Sequence, residues 1–321
     1  MAMRKSFLLT AAGALLLCPV SAQAAEKVKV ATTFLGLWDT SQPTWCKERG
    51  AFAKAGLDVE VTSTRGGSEN VQAVIAGGHD IGYSPGTNAV FAAYAQGSRL
   101  KVLGAEFRGQ NDTYFYVPSD SPIRTIDDMR GKSVAFPRPG GASEALLLSL
   151  KNERKLDFKP VATGGMDATF TMVMTRQVDI GYAIPPSVLD AVQSGKVRVL
   201  FSGDDVKSQR ELTGRVNIGS AEFVKNRRAV AVKFFEILDS CIDWAYANLE
   251  EAAKWYAALN KVTPEIAAKG LAFYKRDMLA FGPIDGLDEV MKGAVESKFL
   301  DKPLTADQVR DMIDVVYTTK K

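Results

Sequence analysis

Residues Arg138 to Glu144, Arg-Pro-Gly-Gly-Ala-Ser-Glu, put a cation, two glycines and a hydroxyl directly ahead of the apolar run ALLLSL. That composition at the start of a helix suits the binding of an oxyanion. Backbone N–H groups without helical partners gather there, and the aligned peptide dipoles leave partial positive charge. Gly140 and Gly141 let the backbone approach a ligand closely, and Ala142 opens the helix. Ser143 can donate its hydroxyl or cap the helix, while Arg138 could pair bidentately with the anion. In the alternative reading Ser143 only caps and Arg138 lies on the surface.

Other turns share this chemistry. In YSPGTNAVF, Pro85 and Gly86 shape the turn and Thr87 stands at the helix start; RGGSENV places Gly67 and Ser68 at another. In FLGLWDTSQP, Trp38 could form a stacking wall and Asp39 could meet a ligand amine, although a core position is the alternative for the tryptophan. Asp167 in GGMDATF begins a helix, touching ligand or merely capping. YAIPPS places Pro185 opposite the first lobe's equivalent turn. All fourteen residues are expected to hold ligand.

Such turns need strands and helices to aim them. KVKVATTF, LDVEVTST and HDIGYS alternate as strands, with helix-like stretches between them, which is the parallel α/β rhythm. The rhythm restarts after residue 120, and VDIGY at 178–182 repeats DIGY at 80–83. Asp80 and Asp179 read as structural, tying a helix end to the sheet. The repeat predicts two α/β lobes, one from 26–112 plus 205–321 and one from 113–204, each bringing strand ends to a shared cleft. Beyond Ser220 the chain is amphipathic and helical, and we expect it to return over the first lobe. Two crossings between lobes make a hinge.

Composition bounds the rest. With 321 residues, 46% hydrophobic and 24% charged, the chain has the make-up of a soluble globular protein. Arg4 and Lys5, an apolar run from Phe7 to Leu17 and Ala22-Gln23-Ala24 make residues 1–25 a secretory signal peptide, which places the mature chain outside the cytoplasm. Without Arg4 and Lys5 the net charge is about +1 and no basic run stands out, which argues against nucleic acid. An exported protein could pair Cys46 with Cys241, but two cysteines are no disulfide framework and separate buried thiols are the expectation; the single His79 excludes a multi-histidine metal or catalytic cluster.

IRTIDDMRGKSVAFPRPGGASEALL, the paired GGHDIGY and RQVDIGY stretches and the tail NLEEAAKWYA carry a family likeness. In this order they resemble the periplasmic solute-binding proteins of ABC importers, in the branch that takes taurine, aliphatic sulfonates, nitrate and thiamine precursors. The resemblance covers the chain beyond the signal segment. It implies a type II two-lobe periplasmic-binding-protein fold with mostly parallel sheets and two hinge strands. It further implies a monomer without cofactor or catalysis that hands a small molecule to a membrane permease. We expect a small organic anion, a sulfonate or carboxylate and in some cases an aromatic one. A pyrimidine-precursor synthase on the same fold would need histidine, a cofactor-bearing lysine and a cysteine-rich motif, of which this chain lacks the cysteines and has one histidine. A sensor protein would close in the same way and present its closed form to a signalling partner.

Overall fold

The computed structural model describes residues 25–139 and 141–320; the signal peptide expected over 1–25, apart from Ala25, and Gly140 therefore lie outside the described residues. The fold is mixed α/β with a mostly parallel first sheet. The first lobe runs β1 (Glu26–Thr33), α1 (Gln42–Glu48), α2 (Ala51–Lys54), β2 (Leu57–Thr64), α3 (Gly67–Ile75), β3 (Ile81–Tyr83), α4 (Thr87–Ala95) and β4 (Leu100–Arg108). The helix expected over WCKERGAFAKAG is two pieces, because Gly50 takes a left-handed φ of 72° between them.

The second lobe holds β5 (Tyr114–Pro118), β6 (Ser133–Phe136), α5 (Ala142–Arg154), β7 (Lys159–Ala162), α6 (Met166–Met174), β8 (Gly181–Ala183), α7 (Leu189–Gln193) and β9 (Val197–Ser202). After β10 (Thr213–Ser220) come α8 (Ala221–Ala247), α9 (Leu249–Asn260), α10 (Pro264–Leu271), α11 (Leu287–Glu296) and α12 (Ala306–Met312).

The first sheet has the order β2-β1-β3-β10-β4, with β10 antiparallel to both of its neighbours. In the second lobe a parallel bridge from Val134 to Ile180 joins the pair β6-β7 to the ladder β8-β5-β9. The resulting order β7-β6-β8-β5-β9 repeats the first, with β5 in the antiparallel place of β10. Each lobe therefore takes its fourth strand from just beyond a crossover.

The repeated aspartates do equivalent work in the two sheets. Asp80 Oδ2 accepts from the Lys29 amide at 2.9 Å, and Asp179 Oδ2 accepts from the Ser133 amide at 2.8 Å. Each stands in the link between a helix and the next strand, α3 to β3 or α6 to β8, and fastens that link to the neighbouring strand, β1 or β6.

Cores explain the remaining architecture. Phe115, Tyr182, Leu146 and Leu150 are among the residues filling the second lobe. In the first lobe α8 lays Phe234, Leu238 and Ile242 against β1, α1 and α2, and Phe52 stacks on Phe234 at 5.0 Å between centroids. This apolar stripe at helical spacing is what draws the C-terminal helices back over the first sheet. The expectation of separate thiols is corrected here: Cys46 on α1 and Cys241 on α8 form a disulfide, with Cα atoms 5.6 Å apart. A separation of 195 residues says nothing of proximity, but packing α1 on α8 brings the two together. Among the described residues no helix is long and apolar enough to cross a membrane.

Candidate functional site

Three helix starts converge where the lobes meet. α3 begins after Gly66, α4 after Gly86 and α5 after Gly141, and none of these N-cap residues supplies a capping side chain. Their first-turn N–H groups thus lack the partner that a serine or aspartate cap would give. The approach is close because the residues are glycines. A Cβ on Gly67 would stand 2.9 Å from the Gly86 amide nitrogen, and one on Gly86 would stand 3.0 Å from that of Ala142 in the other lobe. Ser68 Oγ donates across the gap to the Pro139 carbonyl at 2.9 Å.

These groups enclose a cavity of 40 Å³, room for a water or a compact head group. Gly67, Ser68, Gly86, Arg138, Ala142 and Ser143 line it, as does Gly141. Among the described residues the buried Arg138 Nε has no hydrogen-bond partner, and its Cδ would lie 3.3 Å from a Cβ on Gly66. Two lining residues, Phe34 and Ser84, are non-glycines at left-handed φ of 54° and 65°. Such strain persists only where the surroundings over-determine it, which is common at ligand clamps.

Beneath Ser84 lies a buried charge network. Arg215 on β10 lines the cavity and holds Asp39 at 2.9 Å and Asp112 at 2.8 Å, with all three side chains at most 6% exposed. Its guanidinium also stands over the Phe107 ring at 4.7 Å. Burial alone would depress the arginine, but Asp112 and Asp39 outweigh it and hold the cation charged. Burial pushes Asp39 upward against the pull of Arg215. Ser84 Oγ stands 2.7 Å from Glu106 Oε2 and 3.3 Å from Asp39 Oδ2. One hydroxyl proton cannot serve both carboxylates. Burial first and then Asp39 push Glu106 well above its ordinary range, so Glu106 carries the second proton.

A test follows from that proton. Because the folded-state value of Glu106 is raised, its contribution to stability is fully present below the unfolded carboxylate range. The contribution is lost as pH rises toward the folded value. Glu106→Gln, a neutral isostere, should therefore gain on the wild type by up to about 1.4 kcal/mol per pH unit as pH rises above the ordinary carboxylate range toward the raised folded value. Denaturant melts at several pH values check this, and parallel curves for the two proteins would refute it.

The other expected contacts sit elsewhere. Trp38 is not on the cleft wall. It is fully buried in the first core, edge-on to Tyr256 at 5.5 Å, with its Nε1 donating to Tyr246 Oη at 3.3 Å. The returning helices supply that aromatic nest, and the turn that carries Trp38 gives no hint of it. Asp39 is engaged by Arg215 rather than open to an amine. The Thr87 hydroxyl donates to the Thr213 carbonyl at 2.9 Å, behind the cavity. Asp167 is exposed at the start of α6. Pro85 backs the cavity, its Cα 3.5 Å from a Cβ on Gly67. The Pro185 carbonyl accepts from Tyr256 Oη at 3.0 Å, and its neighbour Ile184 is the lining residue.

Sequence reasoning passed over Arg215, Asp112, Glu106 and Ser84. An arginine at an inward position of the strand TGRVNIGS was the available signal, because an inward cation requires buried partners.

The chain is 18% identical to the aliphatic sulphonate binding protein SsuA from Escherichia coli, covering 92% of this chain and 94% of that one with a TM-score of 0.74. The alkanesulfonate-binding protein SsuA from Xanthomonas axonopodis pv. citri, solved with MOPS, gives a TM-score of 0.75 at 19% identity, over 89% and 99%. At these identities the likeness establishes the periplasmic-binding-protein fold. Among curated relatives, an Escherichia coli K12 protein provisionally named for binding aliphatic sulfonates is 29% identical over 44% of each chain. A Bacillus subtilis protein provisionally named as a binding protein is 27% identical over 35% of this chain, which matches only 33% of that relative's length. A family model described as NMT1/THI5 like matches residues 45–252. That match takes in the whole second sheet, the first sheet apart from β1, and every helix start at the cavity, and the chain belongs to the NMT1/THI5-like family.

Proposed function

We propose that this protein captures a small organic anion, a sulfonate or carboxylate, between its two lobes outside the cytoplasm and delivers it to the permease of an ABC importer. One observation carries the reading. Three helix starts without a capping side chain, two from one lobe and one from the other, meet at a single cavity beside Arg138, so closely that a Cβ on Gly67 or Gly86 would stand about 3 Å from the next one's amide nitrogen. Partial positive charge and helix-start backbone amides on both sides of the gap favour an anion, and an anion bridging them draws the lobes together. The fold and the names of the relatives support the same reading. The crossovers at 109–113 and 203–212 serve as the hinge, and no chemistry is performed on the ligand.

A thermal-shift panel of alkanesulfonates, aromatic acids, nitrate and pyrimidines tests this. A ligand at 100 times its dissociation constant stabilises the folded form by about 2.7 kcal/mol. Shifts confined to anions are expected; a panel in which only pyrimidines or none of the compounds shifts the curve would overturn the reading.

A further inference from the structure

We propose that Asp39 and Asp112 set the charge of the accepted head group. By engaging both terminal nitrogens of Arg215 they leave Arg138 as the cation available to ligand, so the site takes a monoanion and rejects a dianion of the same shape. This rests on the reading of the cavity as an anion site.

Arg215 is the arginine that lines the cavity from the first lobe, and Arg138 lines it from the second. An unpaired Arg215 would join Arg138 to give two full positive charges, enough for a sulfate, phosphate or phosphonate dianion. It is instead held by two carboxylates at 2.9 and 2.8 Å, none of the three more than 6% exposed. Two carboxylates on one guanidinium leave the trio with an excess negative charge, buried where water screens little. Glu106 adds no charge while it carries its proton through Ser84, and Tyr274 Oη, 3.5 Å from Asp112 Oδ2, is neutral. Helix starts supply only partial charges. A first negative charge on the head group meets Arg138 and three helix starts; a second meets a repelling floor. Asp112 belongs to the crossover after β4, so the same pair also fixes the hinge segment to β10.

Ethanesulfonate and ethylphosphonate separate charge from shape. The sulfonate keeps one charge at every working pH, whereas a phosphonate, like a phosphate ester, loses its second proton in the neutral range. Calorimetric titrations from about pH 5.5 to about pH 8.5 read the ratio of their dissociation constants, in which protein titration that acts equally on both ligands cancels, and the same series in Glu106→Gln removes the contribution of that carboxyl. We expect the phosphonate to weaken by about tenfold or more relative to the sulfonate as it becomes a dianion. In Asp112→Asn, which removes the excess negative charge, the loss should shrink to a few-fold. A ratio that stays flat with pH in the wild type overturns the inference while leaving the anion reading intact. If neither compound binds at any pH, the anion reading falls and the inference with it. The wild-type arm decides the matter even where Asp112→Asn fails to fold.

Discussion

Gly141→Asp should abolish ligand binding, by about a hundredfold or more, without unfolding the protein. Gly141 is the N-cap of α5 at φ −85° and ψ 163°, an extended conformation open to any residue. A Cβ there meets only the Arg138 carbonyl oxygen at 3.4 Å, so a side chain fits. Aspartate is also among the best N-cap residues, and its carboxylate would accept from the α5 amides now left without a cap. The variant thus carries its own anion into the ligand's place, at a helix start facing the other lobe. Its melting temperature should equal or slightly exceed that of the wild type, while titration with an otherwise tight ligand gives no heat. Retained affinity would remove this turn from the site.

Loss of the Cys46–Cys241 bridge should be the largest single change in stability. Cross-linking residues 195 apart restricts the unfolded chain by about 5 kcal/mol in the loop-entropy model. For a chain of this size that amounts to a fall in melting temperature on the order of 10 °C. Cys46→Ala/Cys241→Ala measured without reductant, and the wild type measured with it, should agree. Ligand affinity should hardly move, because neither cysteine lines the cavity. Equal melting temperatures with and without reductant would show that the bridge does not hold the protein together in solution.

What could be read from the sequence divides along a physical line. Strands and helix starts are local: DIGY twice, glycines before apolar helical runs and the valine alternation of β1 each announce themselves within ten residues. That locality is why Gly67, Gly86, Gly141 and Ser143 were accessible as cavity residues without coordinates. Long-range partnership is not local. Asp39 finds Arg215 across 176 residues, and Trp38 meets Tyr246 across 208. Both stand in one turn whose composition looks like a ligand loop, and both are turned inward by groups the last third of the chain supplies. The disulfide was missed for the same reason. Glu106 and Arg215 each resemble an ordinary charged residue on a strand until the opposite carboxylates are in place.

The exchange of fourth strands has a consequence for how the molecule assembles. Residues 114–202 contain every strand of the second sheet in one uninterrupted stretch, so that half can reach its pairing as soon as it is available. The first half cannot. Its sheet is split between β3 and β4 until residues 213–220 slide in, and its core is open until α8 follows. The half made first is therefore finished last, with its exposed strand edges waiting on the arrival of the chain's end.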